Sequence, residues 1–226
     1  MCKRSMAIVA AAMCGAASAH ADVLFSANFD SLSLGTVNGQ AGWEVVNGPE
    51  THGVIAEQNG NRFLQVAALG GAFGGGVRHV YDTPSSRRYV QVMLDFSADN
   101  IQWPFWFMDN FPASADPPDS IFWEQTIAYA ANGSVDRPIL LNTWHPIAIE
   151  IDTQLRGVIG VNFGNGWIDN VDGTVSPAGA LTGLIFAGYS FDTDHLDQLY
   201  WLSIDNIRVT DSDAPFVPSA GSTALI

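Results

Sequence analysis

Apolar and polar residues alternate with a period of two along most of the chain. Val90, Val92, Leu94 and Phe96 alternate with Tyr89, Gln91, Met93 and Asp95, and Ile147, Ile149 and Ile151 alternate with Ala148, Glu150 and Asp152. Successive side chains of a strand point to opposite faces, so the pattern predicts strands with one face in a core and the other in solvent. Further strands are predicted at 22–28, 53–57, 62–67, 76–81, 121–130, 156–163, 183–190 and 199–209. Asn38-Gly39, Asn59-Gly60, Asn132-Gly133, Asn165-Gly166 and Asp172-Gly173 separate them with pairs that enter tight turns readily. No long window carries a helical stripe with caps. The expected fold is all-β, a two-sheet antiparallel sandwich.

Two stretches break the rhythm. Residues 69–76, LGGAFGGG, are small and glycine-rich and lack the Gly-Lys-Ser/Thr ending of a phosphate loop, so a turn or a strand edge is expected there. Residues 103–120 mix aromatics, prolines and aspartates and read as a long irregular loop. From Asp211 the alternation stops and the composition becomes that of a tail.

The amino terminus has its own pattern. Lys3 and Arg4 precede an apolar run from Met6 to Met13, and Ala19-His20-Ala21 gives a small-x-small cleavage site, so residues 1–21 are expected to be a secretory signal peptide. The run is too short to span a bilayer, which takes about 20 apolar residues. Ala12 and Met13 do not make a lipobox before Cys14. Cleavage removes Cys2, Cys14 and Lys3, the only lysine, which excludes thiol and disulfide chemistry from the domain at 22–210 and its tail at 211–226. Seven arginines against 23 Asp and Glu then leave a net charge of −16. Such a surface repels nucleic acid and anionic lipid, while it attracts divalent cations and tolerates neutral glycans.

Three groups of side chains could carry chemistry. Glu150 and Asp152 stand at i and i+2 and share one face of a predicted strand. A retaining glycosidase needs two carboxyls about 5 Å apart, with an acid supplied here by another residue such as Glu124. The competing expectation is that Glu150 and Asp152 form only the solvated face of an amphipathic strand. Tryptophans are the second group, because indole stacks on the C–H faces of sugars while neighbouring polar groups bond the hydroxyls. Trp43, Trp144 and Trp201 occupy strand-like positions and are expected in the core. Trp103 and Trp106 on the irregular loop, and Trp167 after Asn165-Gly166, are the expected glycan-binding residues. Third, Asp192, Asp194 and Asp197 cluster hard oxygen ligands suited to a structural calcium, and Asp169 to Asp172 offers more, although neither stretch has a twelve-residue calcium loop. There is no Gly-x-Ser-x-Gly elbow, and His52, His79, His145 and His195 do not fall at zinc spacing. Asn132-Gly133-Ser134 fits a glycosylation sequon, which matters only in a eukaryotic host.

Three segments carry a family resemblance. Phe29-Asp30-Ser31 leads through Leu34-Gly35-Thr36-Val37-Asn38-Gly39-Gln40 to Gly42-Trp43. Asn142-Thr143-Trp144-His145 precedes the strand Pro146–Asp152 and its partner Gly157–Phe163, and Ile204-Asp205-Asn206-Ile207-Arg208-Val209 closes the domain. Over roughly residues 23–210 the chain resembles the concanavalin A-like lectin/glucanase superfamily in its laminin G-like, secreted bacterial form. The resemblance implies a jelly roll with adjacent N- and C-terminal strands, and members that are lectins, carbohydrate-binding modules or glucanases. The glucanase branch would carry nucleophile, helper and acid at i, i+2 and i+4, and Gln154 replaces the acid. The tail from Val217-Pro218 to Ile226 resembles the opening of a PEP-CTERM sorting signal, without its apolar helix and arginines. That resemblance implies a cell-surface or matrix-associated protein. The expected function is therefore a secreted, non-catalytic carbohydrate-binding or surface domain. A glycoside hydrolase using Glu150 and Asp152, and a structural protein without ligand, are the alternatives.

Overall fold

The computed structural model describes residues 21–46, 48–69, 73–80, 87–99, 105–109, 120–123, 140–154, 157–162, 167–169, 181–189 and 198–216. They form strands β1 (Asp22–Ala27), β2 (Gly35–Thr36), β3 (Trp43–Val46), β4 (Gly53–Gln58), β5 (Asn61–Leu69), β6 (Phe73–Val80), β7 (Tyr89–Ala98), β8 (Phe105–Asp109), β9 (Ser120–Trp123), β10 (His145–Asp152), β11 (Gly157–Asn162), β12 (Trp167–Asp169), β13 (Leu181–Tyr189) and β14 (Leu199–Ser212). One short 3₁₀ turn at Glu50–His52 precedes β4.

Nine strands make the larger sheet, eight in the order β12-β11-β10-β7-β14-β5-β4-β2 with β1 joined beside β14, and five make the smaller, in the order β3-β6-β13-β8-β9. All pairings are antiparallel, as an all-β alternating sequence requires. β14 organises the larger sheet. It borders β7 on one side, while on the other it borders β5 over Leu199–Ile204 and then β1 over Ile207–Asp211. The N- and C-terminal strands are thus adjacent, as the family resemblance implied. β1 begins at Asp22, so the expected cleavage after Ala21 leaves every described strand whole.

The alternation sorts the side chains. Val90, Val92, Leu94 and Phe96, Ile147, Ile149 and Ile151, and Leu202 and Ile204 are buried against Trp43, Val77, Leu184 and Phe186 of the smaller sheet. Trp43 anchors this core with its ring 5.5 Å from Phe29, 6.0 Å from Phe25 and 6.3 Å from Phe186. Gly53 lies where the sheets approach, and a Cβ there would stand 2.4 Å from the Val77 side chain. On β14 the inward residues are even-numbered up to Ile204 and odd-numbered from Ile207. A bulge between Asp205 and Arg208 shifts the register, and Asn206 takes the left-handed backbone (φ 52°) that the bulge needs.

Several boundaries differ from expectation. Part of the irregular stretch 103–120 is strand, since β8 pairs with both β13 and β9. Of the glycine run, Leu69 ends β5 and Phe73–Gly76 enter β6 against β13, with β3 joining on the other side only from Gly76, while residues 70–72 lie outside the described residues. Asp211 and Ser212 belong to β14 and are buried rather than tail-like.

Candidate functional site

The larger sheet has an outer face, turned away from the core, built from the residues between the inward ones. From β10 it receives Trp144 just before the strand, then Pro146, Ala148, Glu150 and Asp152. From β7 it receives Tyr89, Gln91, Met93, Asp95 and Ser97. The register aligns these in cross-strand rows: Pro146 with Asp95 and Asp205, Glu150 with Gln91 and Thr210, and Asp152 with Tyr89 and Ser212. Trp144 and Glu150 stand six residues apart, about 20 Å along a strand, so the face has two distinct ends.

At the first end Trp144 is 37% exposed, against the expectation that it lies in the core. The loop ahead of β10 is tied to the end of β7 by the Asn142 N–H donating to Ala98 O at 2.8 Å. Trp144 packs edge-on against Phe63 of β5, with ring centroids 5.3 Å apart and planes at 79°. Phe63 follows Arg62 and precedes the core residue Leu64, so it points to the outer face, where Trp144 covers it. Leu140 and Leu141 of the same loop are exposed as well. Polar groups fill the neighbouring row. Asn206 Nδ2 donates to Asp95 Oδ2 at 2.8 Å, Asn61 Nδ2 to Asp205 Oδ2 at 2.9 Å, and the Asn206 N–H to Asp205 Oδ1 at 2.8 Å. Alternation alone placed Trp144 in a core because it overlooked parity. Trp144 shares the parity of Glu150, opposite to the isoleucines, and that signal was legible in the sequence.

Glu150 and Asp152 occupy the other end. They share a face as expected, but they are 0% and 1% exposed and do not form a solvated surface. Burial of a carboxylate requires partners, and both have them. Arg88 Nε and Nη2 donate to Asp152 Oδ2 at 2.9 and 2.7 Å, and the Gln154 N–H donates to Oδ1 at 2.9 Å. Hydrogen bonding to Asp152 holds the Arg88 pKa above its usual value, so this cation does not titrate. Its guanidinium also sits 5.0 Å over the Tyr89 ring. Glu150 Oε1 accepts the Phe216 N–H at 2.7 Å. The chain after β14 therefore crosses this end of the outer face and covers it. Arg87, next to Arg88, ties the approach to this crossing, with Asp22 at 2.6 Å and Asp211 and Asp213 each at 3.7 Å. In this arrangement neither carboxylate is open to a substrate.

Two of the tryptophans expected to bind glycan stand on described strands, one in each sheet. Trp106 is on β8 of the smaller sheet, opposite Phe122 and Ile185, and Trp167 opens β12 at the edge of the larger sheet, opposite Asn162. Trp103, Glu124, Asp192, Asp194, Asp197 and the stretch 170–172 lie outside the described residues. So do the signal segment 1–20 and the tail from 217. Trp43 is in the core as expected, whereas Trp201 is only half-buried on the outer face. Among the described residues no group of three or more His, Cys, Asp or Glu could hold a metal ion.

The two antiparallel sheets and their order define a jelly-roll β-sandwich. No protein-family model matches the sequence, and no curated protein matches it. Among solved structures the fold is similar to part of a sialidase (TM-score 0.52, 12% identity), covering 84% of this chain and 18% of the sialidase. The present chain therefore spans less than a fifth of that protein. It is also similar to a Bacteroides ovatus mixed linkage glucan GH16 protein in complex with a G4G4G3G product (TM-score 0.51, 12% identity), covering 82% of this chain and 99% of that one. A CBM22-1 xylan-binding domain from Paenibacillus barcinonensis matches at TM-score 0.42 and 14% identity, over 86% and 97% of the two chains. No helix among the described residues is long and apolar enough to cross a membrane.

Proposed function

We propose that the chain is an exported, non-catalytic β-sandwich that binds carbohydrate on the outer face of its larger sheet, at Trp144. The observation that carries this is the exposed indole of Trp144, fixed in place by Phe63 and set beside the Asp95–Asn206 and Asp205–Asn61 pairs. A sugar ring presents an apolar face to the indole and hydroxyls to the carboxylates and amides. Phe63 holds the platform rigid, which lowers the ordering cost of binding. The mature charge of −16 favours neutral glycans over anionic ones.

A non-catalytic role accords with the state of Glu150 and Asp152, both buried and hydrogen-bonded. Export rests on the sequence of residues 1–21, and delivery to a cell surface or matrix on the PEP-CTERM-like tail. Mass spectrometry of the secreted protein should find Asp22 as its first residue; retention of residues 1–21 would contradict export by this signal. Affinity electrophoresis through neutral plant, algal and bacterial polysaccharides tests the binding, run with and without calcium to include a site at Asp192, Asp194 and Asp197. Retardation by at least one neutral glycan is expected. Uniform mobility in all gels would overturn carbohydrate binding.

A further inference from the structure

The covered end of the outer face holds a buried hydroxyl that the described residues leave without a partner. Glu150, Gln91 and Thr210 stand in one cross-strand row on adjacent strands. The neighbour of Glu150 on the far side is Gly160, which adds no side chain to the row. All three polar side chains are buried, although they lie on the face away from the core. Thr210 is 4% exposed, and its hydroxyl has no hydrogen-bond partner. An orphaned buried hydroxyl is costly and rare, and it calls for an explanation.

The cover over this row is short. After Ser212, the Ala214 N–H donates to Ser212 Oγ at 3.2 Å, and the Phe216 N–H reaches Glu150 two strands away. Asp213 is 81% exposed and only 3.7 Å from Arg87, and Pro215 has no N–H to give. Among the described residues, the short Phe216 N–H to Glu150 hydrogen bond holds the outer end of the segment. What it provides to Glu150 is a single donor, which a ligand hydroxyl can replace.

We propose that residues 213–216 are a displaceable strap over a second sugar subsite formed by Glu150, Gln91 and Thr210. The row fits hydroxyl-rich chemistry. The carboxylate accepts, while the amide and the threonine hydroxyl each donate and accept. Adjacent strands space these groups about 4.8 Å apart, a separation that successive hydroxyls around one sugar ring can bridge. Lifting the strap removes the Phe216 N–H from Glu150, and the sugar supplies replacement donors to Glu150 and a first partner to Thr210. The subsite lies about 20 Å from Trp144 on the same face, so a longer chain can occupy both ends. This proposal rests on the glycan-binding reading above.

The test is Phe216→Pro in the full chain, which removes the N–H that the strap donates to Glu150. It is compared by affinity electrophoresis with the wild type, with Trp144→Ala, and with the double variant Phe216→Pro/Glu150→Gln. The released variant should bind the retaining glycan at least threefold more tightly, and Glu150→Gln in that background should abolish the gain. Unchanged binding in Phe216→Pro, while Trp144→Ala still weakens it, would overturn the strap and leave the Trp144 site standing. No binding by any form would overturn both. NMR of the unaltered protein gives a check that needs no folded variant. The Phe216 amide resonance should shift as saturating glycan is added, and a fixed resonance would contradict the strap.

Discussion

Asp99 shows how one buried carboxyl sets a pH dependence. Its Oδ1 accepts the Trp201 N–H at 2.8 Å, and its own N–H donates to Trp201 O, closing the sheet where β7 and β14 part. Burial pushes the Asp99 pKa above its ordinary value, and hydrogen bonds from the Trp201 N–H and from its own backbone N–H to the carboxylate only partly oppose that. A carboxyl with a raised folded-state pKa binds its proton more tightly when folded. Its contribution therefore favours the fold at acid pH and is lost as pH rises from about 4 through the raised value. Asp99→Asn keeps an acceptor for Trp201 and cannot ionise. Thermal melts should show Asp99→Asn gaining stability relative to the wild type between pH 4 and pH 7; a constant difference over that range would contradict the assignment. Asn206 is the second decisive residue. Its φ of 52° and its bond to Asp95 set the bulge of β14. Asn206→Ala should cost about 2 kcal/mol in chemical denaturation, from left-handed strain and a lost hydrogen bond. Asn206→Gly should recover about half, because it removes the strain alone.

Among the elements, β10 carries the most consequence. Its inward isoleucines were legible from period-two alternation, and so was the shared face of Glu150 and Asp152. Whether that face meets solvent was not legible. Local sequence cannot report that Arg88, 64 residues away, and Phe216, 66 residues away, close over it. The same limit applies to β8 and β6. The prolines and aspartates around β8 suggested a loop and the glycines of β6 a turn or strand edge, but pairing with β13 makes Phe105–Asp109 and Phe73–Val80 strands; the aromatics of β8 favour a strand themselves, whereas the glycines of β6 depend on that pairing. The ion pairs separate by element in the same way. Arg88 meets a buried carboxylate on β10, while Arg62 meets a half-exposed Glu57 across the β4–β5 hairpin. Removing one partner of a buried pair strands a charge, whereas an exposed pair contributes little. Arg88→Met should therefore lower the melting temperature clearly more than Arg62→Met; equal effects would mean that Asp152 finds another partner or solvent.

At the scale of the molecule, the fold class was the most legible property. Strands separated by Asn-Gly and Asp-Gly turns, without a helical stripe, admit few architectures other than a sandwich or barrel. The adjacency of β1 and β14 followed from the family resemblance and is present. The proposed binding face was less legible. The irregular loop pointed to Trp106, which stands on the smaller sheet, and Asn165-Gly166 to Trp167, which stands at an edge; strand position hid Trp144, whose exposed indole lies on the outer face. Parity along β10 carried that information, but strand position alone was taken to mean core. An acidic jelly roll with an exposed aromatic platform on one face, and a strap over the other end of that face, is the whole-molecule picture that results.

That picture turns on Trp144. Isothermal titration of the secreted protein and of Trp144→Ala with the glycan that retards the wild type is the direct measurement. Binding should fall at least about fivefold, consistent with about 1–3 kcal/mol for an aromatic stacking partner, while the melting temperature stays close to that of the wild type. Unchanged affinity in Trp144→Ala, with loss of binding in Trp106→Ala or Trp167→Ala instead, would contradict the account.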